Sequence, residues 1–240
     1  MCSDEIFGGY PWYRDKEIRG RYGFPWSQST DFRKSFLKNE FSDKIDSENY
    51  IGERYSKTIN ESDISYTHDS DEKRMKQLIN LNMKWFMQTL IDRTDRMSVY
   101  NGLEVRVPYC DYRIAEYLYT VPWEYKDYKN TEKGLLRMAM KDLLPEEVLW
   151  RKKSPYPKTH NPEYLNSVSS ILKNIINEPS SPILRILKKE ILGDIINNSE
   201  KYISENTKTP WYGQLMTIPQ TIAYFIQINY WLEKYKINIV

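Results

Sequence analysis

Residues 95–111 read DRMSVYNGLEVRVPYCD, a distinctive stretch between two helical segments. Within it Glu104 and Arg106 stand two apart, a spacing that suits a strand or an extended turn. Pro108 pushes the backbone before it toward an extended conformation. The residues alone favour a buried Glu–Arg pair that fixes the turn over a catalytic role for either. Asp111 is placed to cap the next helix, YRIAEYLY, which runs until Val121–Pro122 stops it.

Upstream, Met75, Leu78, Ile79, Met83, Phe86 and Leu90 recur at three- and four-residue steps, the period of one buried helical face. Downstream, TEKGLLRMAMKDLLP predicts a helix capped by Thr131 and stopped by Pro145. PEEVLWRKK reads as a short helix with Pro145 in its first turn and basic residues at its end. Tyr164, Leu165, Val168, Ile171, Leu172, Ile175 and Ile176 mark another amphipathic helix, and SPILRILKKEILGDIINN carries one more from Ser181–Pro182. The last segment, PWYGQLMTIPQTIAYFIQINYWLEKY, is apolar on nearly all sides. Gln214, Pro219, Gln220, Gln227 and Asn229 interrupt it, leaving an apolar run well short of the roughly 20 residues a bilayer needs. A helix buried between neighbours is expected there.

The chain divides into three stretches. Residues 1–26 are rich in glycine and aromatics and read as loops and short elements. Residues 27–73 are strongly polar, with short helices and mobile loops, INESDISYTHDSDEKR above all, because little apolar surface offsets ordering entropy. Residues 74–240 form a helical body. No strand alternation follows residue 26, so the fold is expected to be mainly α.

Bulk properties narrow the function. The 240 residues are 40% hydrophobic and 28% charged, as in a globular protein. The net charge of +2 gives no argument for nucleic acid or an anionic membrane as partner. No secretory leader is visible. Cys2 and Cys110 form no disulfide framework or CxxC motif, which fits a reducing, cytoplasmic location. His68 and His160 lack metal-ligand spacing. Arg151, Lys152 and Lys153 form a basic helix end, which the helix dipole favours without any catalytic role.

Residues 95–111 resemble the DRxSMAxSLExRVPFLD signature of the synthetase domain of glutamine-hydrolysing asparagine synthetases, through Asp95, Arg96, Ser98, Leu103, Glu104, Arg106, Val107, Pro108 and Asp111. EKGLLRMAMKDLLPEEVLWRKKSPYP resembles that family's K-x-x-LR-x-A-x-x-x-LP-x-x-[IV]-x-x-R-x-K run, and WYGQLMTIPQTIAYFIQINYWLEKY continues the likeness. SDEIFGGY is similar to the end of the family's SGEG[AS]DE[IVL]FGGY loop.

The resemblance implies ATP-dependent adenylation of the aspartate side chain with Mg²⁺, then attack by ammonia derived from glutamine. Lys153 takes the second basic position of R-x-K and would stabilise the leaving pyrophosphate, which needs fixed cations. Ser3, Asp4 and Glu5 would help bind ATP, with Asp4 holding Mg²⁺ as a partial metal site. Met1 falls on the loop's glutamate, the family's acid–base residue, and Cys2 on a loop glycine. Cys2 is therefore not expected to be an amidotransferase nucleophile.

The implied fold is the helical C-terminal portion of an α/β PP-loop synthetase domain of the adenine-nucleotide α-hydrolase type, lacking most of its parallel sheet. Neither a glutaminase domain nor the SGG-x-DS pyrophosphate loop is present in this sequence. The chain alone is expected to be inactive and to bind ATP weakly. It is expected to associate with an upstream half or with itself, through apolar surface the sheet would cover. Two other readings stand beside this one: a stand-alone helical binding or regulatory module, and a synthetase of the same fold that amidates or cyclises a different substrate.

Overall fold

The computed structural model describes residues 2–27, 30–65, 67–153, 161–199 and 217–239. Among them the structure is helical, with no sheet; Leu37 and Leu187 make one isolated antiparallel bridge. Among the described residues no helix is long and apolar enough to cross a membrane. The chain forms two compact units, Met1–Pro25 with Tyr50–Lys153, and Trp26–Asn49 with Ser154–Val240.

The first unit is built on helices whose apolar period the sequence shows. Ser70–Leu81 buries Met75, Leu78, Ile79 and Leu81, and Asp69 caps it by accepting from the Glu72 amide at 2.7 Å. The helix thus begins inside the polar stretch expected to be mobile. A π-helical turn follows over Asn82–Met87 before Gln88–Tyr100 continues as α-helix. The Asn82 side chain donates to the Leu78 carbonyl at 2.7 Å, so a side chain competes for the acceptor four residues back where the turn widens.

Asp111 caps Tyr112–Thr120, as its position predicts, by accepting from the Arg113 amide at 2.9 Å. The run after Thr131 departs from expectation. Its α-helix is only Gly134–Ala139, with Lys133 rather than Thr131 at the N-cap. Lys129, Asn130 and Lys133 all have left-handed backbones, so the chain turns sharply where a continuous helix was expected. The helix Ser47–Asn60 has fourteen residues, longer than the short helices expected in that region.

The second unit has an aliphatic core of Val168, Leu172, Ile176, Ile183, Leu187, Leu192, Ile195, Ile218, Ile222 and Leu232, with Phe36 and Phe225. Pro162–Asn177 supplies the face predicted from its period, and Asn161 caps it. The segment from Ser181 divides into a 3-10 turn, Pro182–Arg185, and the helix Lys189–Asn197. Ile218–Lys234 packs against Pro162–Asn177 through one face, including Ile218, Ile222, Phe225 and Leu232, while Tyr224, Tyr230 and Trp231 are exposed, so it is buried on one side and not all round. Its polar interruptions have structural work: Gln220 accepts from the Thr217 amide at 2.7 Å, and buried Asn229 accepts from the Ile183 amide at 3.2 Å. Gln214 lies outside the described residues.

Candidate anion-binding site

Residues 2–10 form a short helix, Ser3–Ile6, and a glycine turn. Ile6 and Phe7 anchor it in an apolar cluster with Leu118, lined by Met83, Tyr109, Ala115, Val121, Leu135 and Leu136. Cys2 has φ 70°, a left-handed conformation suited to glycine. That agrees with the loop-glycine position its alignment gives it. Met1 lies outside the described residues.

The anchored loop presents Asp4 to two lysines. Lys133 Nζ and Lys153 Nζ each lie 3.0 Å from the same oxygen, Asp4 Oδ1. Lys133 also donates to Ser3 Oγ at 3.1 Å, and Lys153 to the Gly9 carbonyl at 3.4 Å. A Cβ on Gly9 would overlap the Asp4 carboxylate and Lys133 Cε, so this close approach requires glycine. Burial raises the Asp4 pKa, but Lys133 and Lys153 outweigh it and hold the carboxyl below its ordinary value.

Lys153 belongs to no helix. Arg137 holds the backbone leading to it, donating to the Leu149 carbonyl and to the Arg151 carbonyl at 3.0 Å. The same guanidinium donates to the Glu132 carbonyl at 2.8 Å, beside Lys133. One side chain therefore fixes both lysine-bearing segments. The left-handed residues at 129, 130 and 133 complete the arrangement, and such backbones persist only where their surroundings enforce them.

Ser3, Asp4 and Lys153 thus converge, whereas Glu5 points elsewhere. Glu5 is fully buried; its Oε1 accepts from the Tyr10 hydroxyl at 2.7 Å, and its backbone carbonyl accepts from Tyr13 at 2.8 Å. It does not reach the lysines' side of the loop. Lys133 is the residue that sequence reasoning missed. It lay inside the K-x-x-LR run, but no periodicity shows that a residue so distant in sequence meets Asp4.

Two ammonium groups on one carboxylate leave a local excess of positive charge. That donor set suits a polyphosphate, whose oxygens could take either lysine. It does not make a magnesium site by itself: among the described residues no group of three or more His, Cys, Asp or Glu could hold a metal. Asp4 offers one carboxylate.

Two expectations are corrected. Glu104 and Arg106 do pair, with Arg106 Nε 2.9 Å from Glu104 Oε1, but both side chains are largely exposed, so the pair is not buried. Solvent screens it, and it contributes little. Cys2 and Cys110 are joined as a disulfide with Cα atoms 5.4 Å apart, within the range a disulfide spans, although no bridge was expected. Their separation of 108 residues hid the contact. His68 is exposed, while His160 lies outside the described residues.

The chain is similar to known proteins along nearly its whole length. The family model described as Asparagine synthase matches residues 1–233. "Asparagine synthetase [glutamine-hydrolyzing] 3" of Bacillus subtilis is 43% identical over 238 residues, 99% of this chain and 38% of that protein. "Asparagine synthetase [glutamine-hydrolyzing] 1" of the same organism is 27% identical over 128 residues, 52% of this chain and 20% of that protein. The human "Asparagine synthetase [glutamine-hydrolyzing]" is 43% identical over 67 residues, 27% of this chain and 12% of that protein. The chain therefore spans 38% or less of the length of these relatives. With the family model matched along nearly all of it, the chain belongs to the asparagine synthase family.

Proposed function

We propose that this chain supplies the pyrophosphate-holding side of an ATP-dependent asparagine synthetase. The whole enzyme adenylates the side-chain carboxylate of aspartate and transfers ammonia derived from glutamine to it. The observation that carries this reading is the convergence of Lys133 and Lys153 on Asp4 Oδ1.

ATP supplies the phosphoanhydride whose cleavage activates the carboxylate. Lys153 and Lys133 supply fixed cations for the charge that grows on the departing pyrophosphate, and Ser3 orients Lys133. Asp4 keeps both ammoniums in place before the nucleotide arrives and would offer one carboxylate to a Mg²⁺ ion. Arg137 sets the distance between the two lysine segments. Such preorganised charge accelerates a step because it need not be assembled during the reaction. Glu5 acts from beneath the loop and does not touch the nucleotide.

The test is pyrophosphate release by a full-length synthetase carrying this sequence. Lys153→Ala is expected to fold normally and to slow release by about a hundredfold or more, the scale for losing a group aimed at developing charge. Lys152→Ala is the control, because no described hydrogen bond or ion pair links Lys152 to Asp4. Near-normal release by Lys153→Ala would remove Lys153 from the chemistry.

A further inference from the structure

Lys153 has one anionic partner in this site, Asp4, and that partner is the contact an incoming phosphate would contest. An ammonium that exchanged a carboxylate for a phosphate oxygen would lose its anchor unless something neutral also held it. The structure supplies two neutral contacts: the Gly9 carbonyl, and the ring of Tyr10, whose centroid lies 4.5 Å from Lys153 Nζ. We infer that Tyr10 is a positioning residue for Lys153, an aromatic seat that retains the cation when phosphate draws it from Asp4. This inference rests on the phosphate-site reading above.

The ring is itself firmly held. It stacks on Trp12 with centroids 4.3 Å apart and planes 18° apart, and meets the Phe86 ring edge to face at 5.2 Å. Its hydroxyl donates to Glu5 Oε1, and the other oxygen of that buried carboxylate, Oε2, has no hydrogen-bond partner among the described residues. Tyr10 is thus the one side-chain donor described for Glu5. Burial, and then the Glu5 carboxylate, push the Tyr10 pKa upward, so the hydroxyl stays protonated and keeps this bond. A phenol donating to a carboxylate gains electron density in its ring, which strengthens its hold on a cation. The role of Glu5 follows: it anchors the seat rather than binding nucleotide.

A neutral seat also differs from an anionic one in its effect. A second carboxylate would neutralise Lys153 and repel phosphate. The face of an aromatic ring attracts the cation through its quadrupole and leaves the full charge available.

The experiment uses this chain and inorganic pyrophosphate, with proton NMR of the lysine ε-methylenes; Lys153→Ala identifies the Lys153 signal. Protons above an aromatic face resonate upfield, so that signal should be upfield in the wild type, remain so in Tyr10→Phe, and return to the ordinary position in Tyr10→Leu. Pyrophosphate affinity should fall about three- to tenfold in Tyr10→Leu, as expected for losing a partly desolvated cation–π contact, with Tyr10→Phe restoring most of it. Replacing Tyr10 with a ring-fluorinated phenylalanine keeps the shape but drains the ring face, and should bind pyrophosphate less tightly than Tyr10→Phe. That comparison decides the matter if Tyr10→Leu does not fold. An ordinary wild-type Lys153 shift, or equal affinities across the series, overturns the seat. If Lys153→Ala itself leaves affinity unchanged, the phosphate-site reading fails and the seat with it; if Lys153→Ala weakens binding but the Tyr10 series does not, the seat alone fails.

Discussion

The two units are held together by different chemistry. The core of the second is nearly all aliphatic, with Leu172, Ile183, Leu192, Ile195, Ile218 and Ile222 fully buried. The first buries Trp12, Tyr13, Glu5, Lys76, Asn82 and Lys126 among its apolar residues. Aliphatic packing is non-directional, tolerates no water and positions nothing but itself. Buried polar networks cost desolvation energy, which only satisfied partners offset. In the first unit Glu5, whose Oε1 accepts from the Tyr10 hydroxyl, brings that cost to the loop that carries Asp4.

Breaking the scaffold should give the largest effect on stability. Leu172→Ala is expected to destabilise the second unit by about 2–5 kcal/mol, combining lost burial with a cavity. Denaturant unfolding with probes in each unit would check it, and equal loss in both units would show that they unfold as one. Reduction of the Cys2–Cys110 bridge comes next. A disulfide closing so long a loop typically contributes about 2–4 kcal/mol. Reductant should therefore lower the melting temperature of the chain, and Cys110→Ser should remove the response. A melting temperature indifferent to reductant would mean that the thiols are adjacent but unbonded.

Lys126 sharpens the comparison in the opposite direction. Burial, then neighbouring Lys76, depress its pKa to about 7, with Glu72 only partly opposing them. The folded state therefore binds protons less readily than the unfolded chain between pH 7 and the ordinary lysine value of 10.5. Stability contributed by this group should rise with pH through that window. Lys126→Met, which keeps length without charge, should raise the melting temperature at neutral pH and flatten the rise. A lower melting temperature would show that the ammonium is favourably held.

The smallest effect belongs to Asp4. Its folded pKa lies below the ordinary 3.8, so its ion pairs contribute stability above that value, and the contribution is lost as pH falls through the folded pKa. Asp4→Asn should be less sensitive than the wild type to acid below about pH 4. Unchanged acid sensitivity would mean that the lysines do not hold the carboxylate in solution.

The second unit was the more legible in sequence, for the same reason that its core is simple. The apolar period of Pro162–Asn177 and the interrupted run of Ile218–Lys234 specify buried faces without reference to any partner. In the first unit the period showed Ser70–Leu81, which buries an ordinary apolar face, whereas Tyr112–Thr120, which buries only Leu118, was legible from its Asp111 cap and its Val121–Pro122 stop. The cap-and-stop reading of residues 131–145 failed, because Lys133 is left-handed, like Lys129 and Asn130 just before the run, and the helix begins only after it. Asp4 and Lys153 were reached through motif likeness. Lys133 and the Tyr10 ring were not, since their significance is a meeting of segments more than a hundred residues apart, and Arg137 was not, since its bonds are to backbone carbonyls that no side-chain pattern reveals. The Glu104–Arg106 spacing fixed the contact but carried no information about burial.

The most direct test of the two-lysine site is pyrophosphate release by a full-length synthetase carrying Lys133→Ala and Lys153→Ala, singly and together. Both lysines bind the same Asp4 oxygen and are assigned the same leaving group, so each single change should slow release by about a hundredfold. Because the two act on one group, the double variant should lose less than the sum of the two barrier changes. Normal release by Lys133→Ala, or independent additive losses in the double variant, would contradict a shared pyrophosphate site.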